Sequence, residues 1–356
     1  MGLFSLKFHA KSAVTTVSAI VDIIFTNLAM LCLQWTDHRW PQLSDTIRTV
    51  IVASLWGYFL YIYQTIKKVS ISFSGDVLDL QANAILICNH KSIGDYILLH
   101  ALSSFYRMSG RLRFLTWHGL FSIPSLKWIC SSLWVAQDWT FKSEEDKEHI
   151  LGSLQDGYHW IALFPESVRY SADVAYEHRR FCAFNGLPVF RHCLYPRFEA
   201  AVPSIQYLIG RIGINLVYDV TFVYQSPETG QSSVTNSKST DFQSQIGKSD
   251  PIPHSQDSHV PGQPQNASHS ESVSSVDVAP SLMDILLGRA ESWEFHVHVE
   301  KVPIAQVPLE SHALERWLEK LWLKKDKLLT GVELKGMSFK GLGFVYYFGD
   351  ELETEI

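Results

Sequence analysis

Cysteine is scarce and scattered in this chain of 356 residues. Five occur, Cys32, Cys88, Cys130, Cys182 and Cys193, and no Cys-x-x-Cys pair is among them. That spacing excludes the common zinc-binding pattern, and an odd, dispersed set in a chain this long is not a disulfide framework. Free thiols fit a reducing, cytosolic face. A basic surplus is missing too. Lys and Arg number 30 against 36 Asp and Glu, for a net charge of −6, so there is no electrostatic footprint for nucleic acid. The first apolar run is not expected to be a secretory leader: it is too long for a typical signal-peptide core, and no convincing cleavage site follows it. The end of the chain, Glu353-Thr354-Glu355-Ile356, carries no readable retrieval signal.

Aromatic residues, by contrast, are plentiful. They make up 13% of the chain and include 11 Trp, which suits either a large buried core or a membrane interface, where Trp and Tyr gather. Two apolar stretches open the chain. Ala13 to Leu33 is long enough to span a bilayer, although Asp22 and Asn27 interrupt it, and a carboxylate at mid-bilayer is costly unless paired. Val50 to Ile66 is apolar and aromatic and ends at Lys67-Lys68, while Lys7 and Lys11 precede the first stretch. Residues 1–68 therefore read as a membrane-anchoring hairpin of two helices with both ends cytosolic. The alternative is an interfacial, amphipathic pair.

From residue 69 the pattern changes to α/β. Val69–Ser74, Ala84–Cys88, Leu112–Thr116, Leu133–Ala136 and Trp160–Phe164 read as strands, with helices at Tyr96–Tyr106 and Glu144–Gln155. The fold class is thus α/β, a mixed sheet flanked by helices behind an N-terminal hairpin. Residues 225–280 are rich in Ser, Gln, Pro and His and poor in large apolar side chains, so they read as a disordered insert between two strands. The formal sequon at Asn266 falls inside it. Residues 69–224 and 281–356 then form one catalytic domain, the second part ending in a Trp- and Lys-bearing helix, Leu314–Leu329. Its spacing of Leu314, Trp317, Leu318, Leu321, Trp322 and Leu328 suits packing by one face, while Lys324, Lys325 and Lys327 offer a competing, membrane-facing reading.

Two polar turns carry the chemistry. After Ala84–Cys88 comes Asn89-His90-Lys91-Ser92-Ile93-Gly94-Asp95, followed by a helix. His can act as base and acid near neutral pH, and a carboxylate can fix its tautomer and offset its charge. On one continuous helix, residues five apart point about 140° apart, so His90 and Asp95 meet only if the chain turns between them. Otherwise His90 is an ordinary loop residue and Asp95 a helix cap. The second turn, Phe164-Pro165-Glu166-Ser167-Val168-Arg169, lies about 75 residues on. Arg can grip a phosphate in two places, and Glu can position that Arg or a substrate hydroxyl.

Together these turns resemble the NHxxxxD and FPEGTR motifs of the glycerolipid (lysophospholipid) acyltransferase family. Trp134–Asp146 is similar to the family's hydroxyl-substrate segment, and Gly186–Arg197, with Val202-Pro203, to its GLPxxxHxLxPR and VP blocks. The pattern is most like the lysocardiolipin and fungal phosphatidylinositol-remodelling branch. The resemblance implies an acyl-CoA:lysophospholipid O-acyltransferase acting in phospholipid biosynthesis or remodelling, with lysophosphatidylinositol the first expected acceptor and lysophosphatidic acid the second. It implies His90 as base, Asp95 as its orienting carboxylate, and Glu166 and Arg169 as ligands of the acceptor phosphate. Ser167 and Val168 stand where the family has Gly and Thr, and the Ser167 hydroxyl can stand in for that of the Thr. No bound cofactor and no metal are expected, with acyl-CoA as co-substrate. The expected partner is the bilayer of the endoplasmic reticulum, the motifs facing the cytosol. The competing reading is a non-catalytic lipid-binding or trafficking protein on an acyltransferase fold.

Overall fold

The computed structural model describes residues 2–37, 39–62, 70–117, 132–152, 154, 157–225, 278–281, 284, 293–335 and 345–347. Lys67, Lys68, Asn266 and nearly all of the stretch read as an insert lie outside the described residues.

Two helices come first, α1 (Gly2–Asp37) and α2 (Pro41–Tyr61). They form a hairpin in which Met30, Leu33 and Val52 make a small core, and Thr36 and Ser44 share a 2.7 Å hydrogen bond near the turn. The transmembrane expectation is not borne out: among the described residues no helix is long and apolar enough to cross a membrane. The first turns of α2 carry Gln42, Ser44, Asp45, Thr46, Arg48 and Thr49, and α1 is broken by Asp22, Thr26 and Asn27. The pair instead shows an apolar stripe outward. Val17, Ile20, Val21, Ile24, Phe25, Leu28 and Leu31 of α1 are exposed, at the three- and four-residue spacing of one helix face.

The strands β1 (Ser70–Gly75), β2 (Ala84–Cys88), β3 (Leu112–Trp117), β4 (Ser132–Val135), β5 (Trp160–Leu163), β6 (Leu216–Gln225), β7 (Glu294–Val302) and β8 (Val345–Tyr347) form one mixed sheet. Their order is β4-β3-β5-β2-β6-β7-β1-β8. Strands β2 to β6 run parallel to their neighbours, and β7 pairs antiparallel with β6 from Val217↔Val302 to Gln225↔Glu294. The helices α3 (Gly94–Phe105), α4 (Glu144–Gly152), α5 (Ala172–Phe184), α6 (Phe198–Gly210) and α7 (Ser311–Lys335) complete the described architecture.

The continuous apolar run Ala84-Ile85-Leu86-Ile87-Cys88 is that of a central strand buried on both faces. Ala84, Leu86 and Cys88 enter a core with Leu98, Leu99 and Leu102 of α3. Ile85 and Ile87 enter a second core with α4, α6 and α7. Helix α2 docks on the first side, Trp56 stacking on His100 of α3 at 3.8 Å between ring centres. Two helices were not legible beforehand. Helix α5 buries only Ala175 and Cys182 among the residues of its face, so its apolar periodicity is weak, and α6 carries Pro203 in its interior.

Strands β2 and β5 are direct neighbours in parallel register, Ala84↔Trp160 to Ile87↔Leu163. Their carboxyl ends therefore leave the sheet side by side, and the two polar turns emerge together at the edge where open α/β sheets place their ligands.

Candidate active site

The first turn is held to the sheet before it reaches His90. Asn89 continues the strand pairing with its side chain: its amide donates to the Phe222 carbonyl (3.2 Å), and its carbonyl oxygen accepts from the Phe222 N–H (2.8 Å). The chain then bends. Ser92 Oγ accepts from the Gly94 N–H at 3.1 Å, and α3 begins with Asp95 in its first turn. Asp95 caps no helix end. The buried carboxylate folds back over the turn, and Oδ2 accepts from His90 Nδ1 (2.8 Å), Lys91 N–H (2.7 Å) and Ser92 N–H (3.0 Å). Its other oxygen, Oδ1, accepts from the Tyr224 hydroxyl at 2.5 Å.

This arrangement decides the tautomer of His90. An ionised carboxylate only accepts, so Nδ1 carries the proton and Nε2 presents a lone pair. The ring is braced by Phe164 at 4.6 Å and edge-on by Tyr96 at 6.0 Å. It keeps 8% of its surface exposed, whereas Asp95 has none. Water thus reaches the outer edge of the imidazole and not the carboxylate behind it.

The second turn is joined to the first by backbone and side chain alike. The Tyr170 N–H donates to the His90 carbonyl at 2.8 Å, and the Arg197 N–H to the Pro165 carbonyl at 2.7 Å. Glu166 points inward. It is 1% exposed, takes the Trp322 indole N–H on Oε1 at 3.1 Å, and accepts from the His90 backbone N–H. Burial pushes its carboxyl up to about 8, partly countered by the Lys91 ammonium. Lys91 itself lies over the Tyr170 ring at 4.4 Å. Ser167 adopts a left-handed backbone with φ +59°, and its buried hydroxyl finds no hydrogen-bond partner among the described residues. Arg169 is exposed and forms no ion pair among the described residues.

Of the residues singled out from sequence, the structure therefore brings His90 and Asp95 into direct contact and ties Glu166 to the same loop. Ser167 and Arg169 sit on the neighbouring turn, Ser167 buried and Arg169 exposed. The parts played by four residues went unread. Tyr224 lies one residue from the end of β6 with no motif around it. Asp219 and Lys325 form a buried ion pair, and Lys325 Nζ also donates to the carbonyls of Ile87 (3.1 Å) and Val220 (2.6 Å). Lys325 is thus a strut beneath the site rather than a membrane-facing charge. Trp322 carried one usable signal, since an indole on the apolar face of a helix needs an acceptor for its N–H. The Gly186–Arg197 block docks on the same helix: Asp326 accepts the N–H groups of Arg191 (2.9 Å) and His192 (2.6 Å).

Other reactive groups near the site are inert. Burial raises the thiols of Cys88 and Cys193 well above their ordinary range, so neither is a thiolate at neutral pH. Among the described residues no group of three His, Cys, Asp or Glu is placed to hold a metal ion.

The class follows from this geometry: an α/β protein whose paired parallel strands present a carboxylate-held imidazole. Family models agree. Residues 70–185 match the model Acyltransferase, and residues 284–332 match Acyltransferase C-terminus. Curated relatives include the "Probable 1-acyl-sn-glycerol-3-phosphate acyltransferase 5" of Arabidopsis thaliana, 28% identical over 178 residues, 49% of this chain and 46% of that one. The "1-acyl-sn-glycerol-3-phosphate acyltransferase epsilon" of Mus musculus is 26% identical over 51% of this chain and 52% of its own. The "Lysocardiolipin acyltransferase 1" of Danio rerio is 22% identical over 55% and 50%. This chain spans about half the length of the curated relatives it matches. Among solved structures, that of the 1-acyl-sn-glycerophosphate acyltransferase PlsC from Thermotoga maritima aligns with a TM-score of 0.39 and 12% identity, covering 87% of this chain and 97% of that one. The two matched regions, residues 70–185 and 284–332, are consistent with the glycerolipid/lysophospholipid acyltransferase family.

Proposed function

We propose that this protein is an acyl-CoA-dependent O-acyltransferase that esterifies a free hydroxyl of a lysophospholipid. The observation that carries the reading is the 2.8 Å contact between His90 Nδ1 and Asp95, which leaves Nε2 as a base at the one exposed edge of the ring. Nε2 takes the proton from the acceptor hydroxyl as its oxygen attacks the thioester carbonyl. Asp95 offsets the charge that develops on the imidazole, as the carboxylate of a Ser–His–Asp triad does. Collapse of the tetrahedral intermediate breaks the C–S bond, and the proton on His90 passes to the leaving thiolate. The substrate hydroxyl is itself the nucleophile, so no acyl-enzyme forms.

The acceptor phosphate rests on Arg169, which is exposed and forms no ion pair among the described residues, with Ser167 beside it on the same turn. Glu166 is buried and already bonded to His90 and Trp322, so we assign it to holding the catalytic loop rather than to the phosphate. The relatives named for 1-acyl-glycerol-3-phosphate favour lysophosphatidic acid as acceptor. Lysophosphatidylinositol remains the candidate from the sequence pattern. The apolar stripe of α1 lies in the surface of the endoplasmic-reticulum membrane, on the cytosolic leaflet where both amphiphilic substrates collect.

The test is acyl transfer from labelled acyl-CoA to a panel of lysolipids by the purified protein. His90→Ala is expected to lower kcat by at least about a thousandfold, a loss typical of a general base removed from a carboxylate-supported site. Near-native turnover in a folded His90→Ala protein sinks the mechanism. Native protein inert towards every lysolipid while still binding them favours the non-catalytic reading.

A further inference from the structure

We infer that Tyr224 is a positioning residue for the His90–Asp95 pair, an inference that rests on reading His90 as the base. Among the described residues, three of the four donors to Asp95 come from His90, Lys91 and Ser92, inside the loop that carries it. Those bonds travel with the loop and cannot fix its orientation relative to the rest of the molecule. Tyr224 is different. It lies one residue from the end of β6, the strand next to β2, and its hydroxyl donates to Asp95 Oδ1 at 2.5 Å, on the oxygen that His90 does not use. The ring is fully buried and meets Phe295 of β7 edge-on at 5.0 Å between centres, so it has no room to swing away.

The geometry makes a single chain of donors: Tyr224 O–H to Asp95 Oδ1, then His90 Nδ1–H to Asp95 Oδ2. It does two things. The carboxylate plane is fixed by the sheet, and His90 Nε2 is thereby aimed relative to Arg169, whose turn hangs from the same sheet through β5. The phenol also draws charge from Asp95, so the carboxylate pulls less strongly on the His90 proton. Asn89 supports the same registration, since its amide clasps Phe222 two residues earlier on β6. Tyr224 touches no reacting atom and acts through Asp95 alone.

Tyr224→Phe keeps the ring and its contact with Phe295 and removes only the hydroxyl. With acyl-CoA and lysophosphatidic or lysophosphatidylinositol acceptors, kcat is expected to fall about tenfold or more, the worth of one hydrogen bond to a charged group, while KM for both substrates stays within about twofold. A kcat within about twofold of native in the folded variant overturns the inference, as does a loss confined to KM. A second measurement needs no turnover. In protein labelled with 15N-histidine, the His90 Nδ1–H resonance is the one absent from His90→Ala. It should move downfield in Tyr224→Phe, where Asp95 accepts more strongly, and upfield when 3-fluorotyrosine at position 224 donates more strongly. Movement in these directions in a protein without acyl-transfer activity upholds the positioning role and fails the acyltransferase reading. A resonance unmoved by both changes fails the positioning role, whatever the activity.

Discussion

At the scale of single residues, the site contains one group held under strain and one held out of its ordinary charge state. Ser167 occupies a left-handed backbone position with φ +59° and keeps a buried hydroxyl with no partner among the described residues. The motif's Gly is suited to that conformation because it has no Cβ to clash. Ser167→Gly should raise stability by about 0.5–1 kcal/mol, the relief of a left-handed non-glycine, and should also raise KM for the phosphate-bearing acceptor; melting curves and acceptor titrations read the two effects separately. Glu166 titrates near 8 when folded because it is buried, against an ordinary 4.5. The unfolded chain therefore holds fewer protons than the folded one between those values, and this group's contribution to stability declines as pH rises from about 5 to 8. Glu166→Gln removes that term. Denaturant titrations should show the variant gaining on the native protein by up to about 1.4 kcal/mol per pH unit across that window. A gap that stays constant with pH would mean that Glu166 ionises normally. On the other side of the sheet centre, burial lowers His296 to about 3, with Ser72 and Ser74 on its two ring nitrogens at 2.7 Å. Its sign is opposite: stability is full above about 6.5 and falls as the pH drops below that.

Among the elements, α7 has the widest reach into the site. Leu314, Leu318, Trp322, Lys325, Leu329 and Val332 are all buried along it, at the spacing of one face. Trp322 holds Glu166, Lys325 holds the end of β2 and the middle of β6, and Asp326 holds the loop before α6. This helix lies in the region matched by Acyltransferase C-terminus, so that region supplies the back wall of the His90 loop. Trp322→Phe retains the packing and loses the N–H donor to a buried carboxyl. It should cost about 1–3 kcal/mol of stability and lower kcat more than KM, measured by denaturation and by initial rates on the same preparation. The packing face of α7 was legible from its apolar spacing. Lys325 was not, because a lysine on the flank of an apolar stripe reads as solvated, and only the carbonyls of Ile87 and Val220 and the carboxylate of Asp219 show why it is buried.

For the molecule as a whole, the site depends on strands far apart in sequence lying next to one another. β6 and β7 pair directly from Gln225 to Glu294, so the sheet closes across the long polar stretch between them. Both flanks of that stretch touch the catalytic loop: Tyr224 reaches Asp95, and Ser92 Oγ donates to the Pro280 carbonyl at 2.6 Å. The α1–α2 hairpin packs on α3 through Trp56 and His100 and leaves the α1 stripe outward. Charging that stripe with Ile24→Asp and Leu28→Asp should cut flotation with phospholipid vesicles several-fold, since each apolar side chain withdrawn forfeits roughly 1–3 kcal/mol of burial. The same pair should leave transfer to a dispersed short-chain lysolipid near native. Equal flotation of variant and native protein would remove the stripe from the membrane contact.

The amino-acid sequence determined most of the strands, the two polar turns and the family resemblance, because these rest on local rules: an apolar run stopped by polar residues, and motif residues at fixed spacing. It left open whether Asp95 caps a helix or holds His90, and whether the lysines of the last helix, Lys325 among them, face a membrane. Tertiary structure placed Asp95 on His90 and Lys325 in the interior. A carboxylate's role depends on which donors surround it, and those donors, Tyr224 on β6 and Trp322 on α7, lie more than a hundred residues away. The His90–Asp95 pair is written in one loop; its orientation is supplied by the rest of the sheet.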